Sequence, residues 1–190
     1  MKKEIMIAGF GGQGVMAIGK SLVEAGMGEG REVSWAPSYG PEMRGGTSNC
    51  SVILSDEPIG SPLVYAPSEL IAMNGPSLKK FEDTVQSGGI IFVNGDSAKS
   101  VHRQDVSVYS IPCDKIANGL GNPRVANMVM LGAYASATGA IHKETLDGLI
   151  RHMFAGPKAH LISLNLQALQ AGMDCVHRTN TAEETCHLTA

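Results

Sequence analysis

The sequence predicts an α/β fold, a sheet covered on both faces with a helical C-terminal third. Three observations predict it. Apolar runs of strand length alternate with segments of helical period through the first two thirds of the chain. Helical patterns then follow one another from Pro123 onward. A glycine-rich turn, Gly9-Phe10-Gly11-Gly12-Gln13-Gly14, joins the first apolar run directly to the first helical one. At 190 residues the chain reads as one domain over 1–173 with a polar tail over 174–190.

Lys3–Ala8 is apolar enough for a buried strand, and Gly12–Glu29 places Val15, Ile18, Leu22 and Ala25 on one helical stripe. Glu32–Ala36 and Thr47–Leu54 read as strands, and Pro58–Pro67, with three prolines, as a loop. Leu70–Met73 is a short strand before the turn Asn74-Gly75-Pro76-Ser77, where Pro76 or Ser77 opens a helix carrying Leu78, Phe81 and Val85. Gly89–Val93 and Asp105–Ile111 are strands, and Pro112–Asn118 is a short helix. Helical periods then cover Pro123–Thr138, Lys143–Phe154 and Pro157–Ala171, and Asp174–Ala190 is polar without a period, the mark of a frayed or partner-ordered tail.

Composition narrows the function. A net charge of −3 gives no electrostatic drive toward nucleic acid or an anionic membrane. No apolar run approaches the ~20 residues that span a bilayer, and the first residues lack a signal-peptide pattern. Four cysteines, Cys50, Cys113, Cys175 and Cys186, are widely spaced with no Cys-x-x-Cys pair, against a metal or iron–sulfur site in this chain. A reduced, cytoplasmic protein is the expectation. The six histidines show no metal-ligand spacing, and no triad can be assembled from sequence, so no catalytic residue is assigned.

The glycine turn admits several readings. Gly9-x-Gly11-x-x-Gly14 matches the letter of a dinucleotide fingerprint, but no acid ends the next strand, where Val33-Ser34-Trp35-Ala36-Pro37-Ser38 stands and Glu32 lies at its start. Gly14 to Ser21 matches the letter of a P-loop, yet its residues fall within the helix and its middle is apolar. The glycines alone are equally compatible with tight helix–strand packing and no ligand. Two further segments favour an anion. Tyr39-Gly40-Pro41-Glu42-Met43-Arg44-Gly45-Gly46-Thr47 sets one arginine beside two glycines, and Gly121-Asn122-Pro123-Arg124-Val125-Ala126-Asn127 puts Arg124 and Asn127 on one helical face near a helix start. Equally, Asn122 caps that helix, Pro123 fills its first turn and Arg124 is a solvated surface charge.

Together, Gly-Phe-Gly-Gly-Gln-Gly-Val, Ser-Tyr-Gly-Pro-Glu-Met-Arg-Gly-Gly-Thr-Ser and Asn-Pro-Arg-Val-Ala-Asn-Met resemble the gamma subunit, or gamma domain, of 2-oxoacid:ferredoxin oxidoreductases. The resemblance runs from about Ile5 to Leu169, and Glu-Met-Arg-Gly-Gly-Thr looks more like the branch handling 2-oxoglutarate or branched 2-oxoacids than that handling pyruvate. It implies a three-layer α/β/α domain with a mixed, largely parallel sheet. It also implies one component of a complex that decarboxylates a 2-oxoacid, reduces ferredoxin or a similar acceptor and passes the acyl group to coenzyme A. Thiamine diphosphate and iron–sulfur clusters would belong to alpha-, beta- and delta-type partners.

Carried over to this chain, the resemblance makes Gly9, Gly11, Gly12, Gln13 and Gly14 an anion-facing turn. Arg44, Gly45, Gly46 and Thr47 become a second wall, and Arg124 and Asn127 contacts to coenzyme A phosphates. Some relatives carry a lysine in the second loop; here the only cation there is Arg44. The expectation is a gamma subunit, not catalytic alone, that helps form the coenzyme A pocket and dimerises when isolated. A freestanding NAD- or FAD-binding oxidoreductase and a purely structural subunit are the alternatives.

Overall fold

The structure is a computed structural model that describes residues 1–38 and 47–187, with the side chains of 47 and 177–187 outside that description. Six strands and six α-helices follow in order. They are β1 (Lys2–Phe10), α1 (Val15–Gly28), β2 (Glu32–Ser38), β3 (Thr47–Ser55), β4 (Glu69–Ala72), α2 (Gly75–Phe81), β5 (Ile90–Asn94), β6 (Ser107–Ile111), α3 (Cys113–Gly119), α4 (Ala126–Thr138), α5 (Lys143–Met153) and α6 (Ile162–His187). Each strand and helix expected from sequence is present to within a few residues, with two differences. The last predicted helix opens with a 3₁₀ turn at Gly156–Leu161, and its α-helical part runs on to His187, through most of the segment expected to be an aperiodic tail. Polarity there removed the periodic signal without removing helix propensity.

The strands form one sheet in the order β2-β3-β1-β4-β5-β6. β1, β4, β5 and β6 are mutually parallel. β3 inserts antiparallel between β1 and β2, pairing Phe10 with Thr47 and Ser38 with Asn49. The sheet is therefore mixed and largely parallel, as expected. The central strands are buried on both faces, which explains their unbroken apolar runs: Ile5, Ile7, Leu70, Ile71, Ile91 and Phe92 have no exposed surface. The edge strand β2 carries Pro37 within its run, a device that discourages pairing with another chain.

The two faces are unequal. One carries the larger core, built with α1, α3, α4, α5 and α6; the other carries α2 and a small cluster of Met6, Leu70, Leu78, Val85, Ile91 and Val93. α4 is buried from Ala126 through Ala135, because it lies under α6 with α3 and β5 on its other sides. Its sequence is accordingly apolar all round instead of striped. Cys50 belongs to this core: burial pushes its thiol up to about 11, countered by a hydrogen bond from Trp35, so it is a packing residue and not a nucleophile.

Candidate functional site

All the features of the site lie at the carboxyl ends of the parallel strands. Phe10 ends β1, Ala72 ends β4, Asn94 ends β5 and Ile111 ends β6. Crevices at this end, where strand connections leave in opposite directions, are where open α/β sheets bind ligands. Here β1 is the switch strand, with α1 following it and β3 and β4 on either side.

α1 begins at Gly14, which holds φ at +78°, and no side chain caps its first turn. The first turn contains no acid either, so no charged side chain of its own offsets the positive end of the helix. The turn before it is anchored, not loose. Gln13 reaches back so that its Oε1 accepts from the Phe10 amide at 2.7 Å and from Asn74 Nδ2 at 2.6 Å, while its Nε2 donates to the Met73 carbonyl at 3.1 Å. Asn74 in turn caps α2 by accepting from the Ser77 amide at 2.8 Å. The sequence placed Pro76 or Ser77 at that helix start; the structure gives the cap to Asn74 and starts α2 at Gly75.

Opposite the glycine turn, Asn122 Oδ1 accepts from the Arg124 amide at 3.0 Å and caps a 3₁₀ turn, Pro123–Val125, that leads into α4. The capping reading of this segment and the ligand reading are compatible, because the cap uses the backbone of Arg124 and leaves its guanidinium out. Arg124 is exposed and makes no ion pair among the described residues. Asn127 begins the next turn and is 9% exposed.

These two segments, over a hundred residues apart in sequence, form a cavity of about 90 Å³ lined by Gly12, Gln13, Met73, Asp114, Arg124 and Asn127. Four of the residues singled out in the sequence thus meet. Gly9 and Gly14 do not line the cavity, and both are closely packed: a Cβ on Gly9 would lie 2.7 Å from Val15 Cγ2, and one on Gly14 would lie 2.7 Å from Asn127. Gly11 faces open space. Thr47 pairs with Phe10 at the start of β3, beside the turn; Arg44, Gly45 and Gly46 lie outside the described residues.

Two residues escaped the sequence reading. Asp114, to which the sequence analysis gives no role, lies in the first turn of α3 and lines the cavity. Asn94 Nδ2 donates to Asp114 Oδ2 at 2.9 Å and reaches the Met73 carbonyl at 3.4 Å, fixing the carboxylate from the end of β5. For Asn94 the available signal was a polar residue ending the otherwise apolar β5; Asp114 has no such signal.

The dinucleotide and P-loop readings fail on topology. In a dinucleotide-binding fold the second strand lies next to the first and parallel to it; here β3 separates β2 from β1. Glu32 sits at the far end of the sheet, opposite Ser55. The P-loop letters fall inside α1, where Gly19 packs on Cys50 and Trp35 and Ser21 is buried. Among the described residues no group of three or more His, Cys, Asp or Glu is placed to hold a metal ion, and no helix is long and apolar enough to cross a membrane.

Residues 4–175 match the family described as pyruvate ferredoxin/flavodoxin oxidoreductase. The chain is 41% identical over 180 residues to a ketoisovalerate oxidoreductase subunit, VorA, of Methanothermobacter marburgensis, covering 94% of this chain and 37% of that relative. It thus spans little more than a third of that protein's length. It is 39% identical over 154 residues to a 2-oxoglutarate synthase subunit, KorC, of Methanocaldococcus jannaschii, covering 79% of this chain and 82% of the relative. In structure it resembles the gamma subunit of a keto/oxoacid ferredoxin oxidoreductase from Geobacter sulfurreducens PCA, with TM-score 0.79 and 29% identity over 93% of this chain and 99% of that one. The same fold, with TM-score 0.86 and 24% identity over 93% of this chain and 31% of the other, occurs in a 2-oxoglutarate:ferredoxin oxidoreductase from Magnetococcus marinus, solved with 2-oxoglutarate, coenzyme A and succinyl-CoA bound.

Proposed function

The chain belongs to the pyruvate ferredoxin/flavodoxin oxidoreductase family, and on that premise we propose that it is the gamma subunit of a multi-subunit 2-oxoacid:ferredoxin oxidoreductase. The oxoacid is 2-oxoglutarate or a branched-chain 2-oxoacid, the substrates named for its relatives. In this reading the complex works in the cytoplasm. Alpha-, beta- and delta-type partners hold thiamine diphosphate and the iron–sulfur clusters and pass electrons to ferredoxin or a similar acceptor. This chain brings part of the coenzyme A pocket and an interface that orders the complex.

The observation that carries the reading is the cavity itself. It joins Gly12 and Gln13, in the turn that leads into α1, to Arg124 and Asn127 across the carboxyl ends of β1, β4 and β6. Coenzyme A is rich in phosphate. A helix N-terminus without a side-chain cap, and a cavity-lining guanidinium that makes no ion pair among the described residues, suit such a ligand. Electrostatic attraction there holds and orients the thiol carrier, while the carbon chemistry belongs to the partner subunits.

The test is to isolate the complex through this chain, identify the chains that accompany it and assay coenzyme A-dependent dye reduction with a panel of 2-oxoacids. In the assembled complex, Arg124→Ala should raise the KM for coenzyme A about tenfold, the worth of one charge-assisted hydrogen bond, with the KM for the oxoacid unchanged. An unchanged KM for coenzyme A would remove Arg124 from the site. A chain that purifies alone and binds a nicotinamide or flavin nucleotide would overturn the reading as a whole.

A further inference from the structure

We infer that a second cavity, between α2 and the segment leading into β6, binds a small molecule carrying both an ammonium and a carboxylate, by chemical class an aliphatic α-amino acid. This cavity shares no lining residue with the one at the glycine turn, so its occupant is independent of the coenzyme A reading.

Local sequence builds one wall. Gly75, Leu78, Lys79 and Glu82 stand at i, i+3, i+4 and i+7, on one face of α2 and of the 3₁₀ turn, Glu82–Thr84, that extends it. Ser100 and His102, at the end of the 3₁₀ segment Gly95–Ser100 and just beyond it, form the other wall. The cavity measures about 340 Å³, at the lower end of the range of small-molecule sites, about 300–1,000 Å³.

Glu82 carries the inference. It is 9% exposed, and its Oε2 is buried with no hydrogen-bond partner among the described residues. A carboxylate oxygen left so is costly, and buried polar atoms are almost always met by a donor. The guanidinium of Arg103 is engaged elsewhere: Nη1 donates to the backbone carbonyls of Glu82 and Val85, and Nε and Nη2 donate to Asp105. Rotation about the last bond of Glu82 turns either oxygen toward the cavity that it lines. An ammonium entering there supplies the missing donor together with the opposite charge.

The rest of the lining asks for the other groups. Lys79 and His102 are exposed and make no ion pair among the described residues. The ammonium of Lys79 and an imidazole N–H of His102 suit a carboxylate. Leu78, and Gly75 with no side chain, leave apolar room for a short aliphatic group. A simple anion leaves the Glu82 oxygen unmet, and a simple cation leaves Lys79 and His102 unused. A molecule with both groups answers the whole lining.

The probe is L-valine, titrated into the isotopically labelled full chain and followed by NMR, with calorimetry for the dissociation constant. N-acetyl-L-valine, which lacks the ammonium, and L-valinamide, which lacks the carboxylate, are titrated alongside. L-valine should shift the amides of Leu78, Lys79, Glu82 and His102, and each derivative should bind about tenfold more weakly, the worth of one charge-assisted hydrogen bond. Glu82→Gln should weaken L-valine by a similar factor and abolish its advantage over N-acetyl-L-valine, while Lys79→Ala should abolish its advantage over L-valinamide. A merely structural role for Glu82 would weaken all three ligands alike. That outcome, an absence of shifts at these amides in millimolar L-valine, or N-acetyl-L-valine binding as tightly as L-valine, overturns the inference. Should Glu82→Gln fail to fold, the three ligands compared on the unsubstituted chain decide it alone.

Discussion

Asn127 occupies the space where a side chain on Gly14 would stand: a Cβ on Gly14 would lie 2.7 Å from Asn127 Cβ and Nδ2. The start of α1 and the start of α4 are thus in direct contact, and that contact brings the two separated motifs together.

Gly14 is constrained twice over, by a φ of +78° and by this approach. Gly14→Ala should cost about 1–3 kcal/mol from the backbone conformation, and should also displace Asn127. Urea unfolding measures the first effect. Coenzyme A binding to the complex measures the second, and should fall more than the stability loss alone accounts for.

α4 and α6 approach so closely that side chains are excluded at two points. A Cβ on Gly132 would lie 2.0 Å from the Leu169 carbonyl oxygen, and one on Gly172 would lie 2.0 Å from the Val129 oxygen. Backbone cannot swing aside as a flexible side chain does, so Gly132→Ala or Gly172→Ala forces the helices apart. Each should lower stability by about 3 kcal/mol, the upper range for overpacking, and this is read from the denaturation midpoint.

A buried polar tie joins α4 to the opposite end of the sheet from the site. The Tyr134 hydroxyl donates to Glu69 Oε2 at 2.6 Å, and Lys3 Nζ donates to Glu69 Oε1 at 2.5 Å. Tyr134→Phe leaves a carboxylate oxygen at the start of β4 without its donor and should cost about 1–3 kcal/mol. Because it lies away from the cavity, it should leave ligand affinity in the folded protein unchanged.

The same tyrosine sets an alkaline limit. Burial, and then the charge and hydrogen bond of Glu69, push its hydroxyl well above the ordinary value of 10. A pKa raised in the folded state means that the folded protein holds the proton more tightly. Its contribution is complete below pH ~10 and is lost as pH rises from there through the folded value. Stability measured between pH 9 and 12 should fall less steeply in Tyr134→Phe than in the wild type.

At the acid end, Asp105 is held down to about 2, first by its hydrogen bond from Arg103. Arg103 meets both of its oxygens, at 2.9 and 2.5 Å, and also donates to the carbonyls of Glu82 and Val85. The contribution of Asp105 is present above pH ~4 and disappears as pH falls through about 2. In an NMR titration, Arg103→Gln should return this carboxyl toward the ordinary range. A titration unchanged by the substitution would remove Arg103 as the cause.

The sequence by itself determined the order and kind of the elements, because periodicity reports local burial: two-faced burial of β1, β4 and β5 reads as unbroken apolar runs, and α1 shows its stripe. It also determined the motifs that carry the family resemblance, since glycines, Arg124 and Asn127 are legible as residue types at fixed spacings. Periodicity could not show that α6 runs on through a polar segment. Only the tertiary structure decided that β3 would enter between β1 and β2, which removes the dinucleotide reading and depends on pairing partners far away in sequence. It alone showed that Gly9 and Gly14 are closely packed and that Gly12 lines the cavity. It alone brought Asp114 and Asn94 to the site, because a single acid after a strand has no local signature of function. The residue types were written in the chain; which of them face one another was fixed by long-range packing.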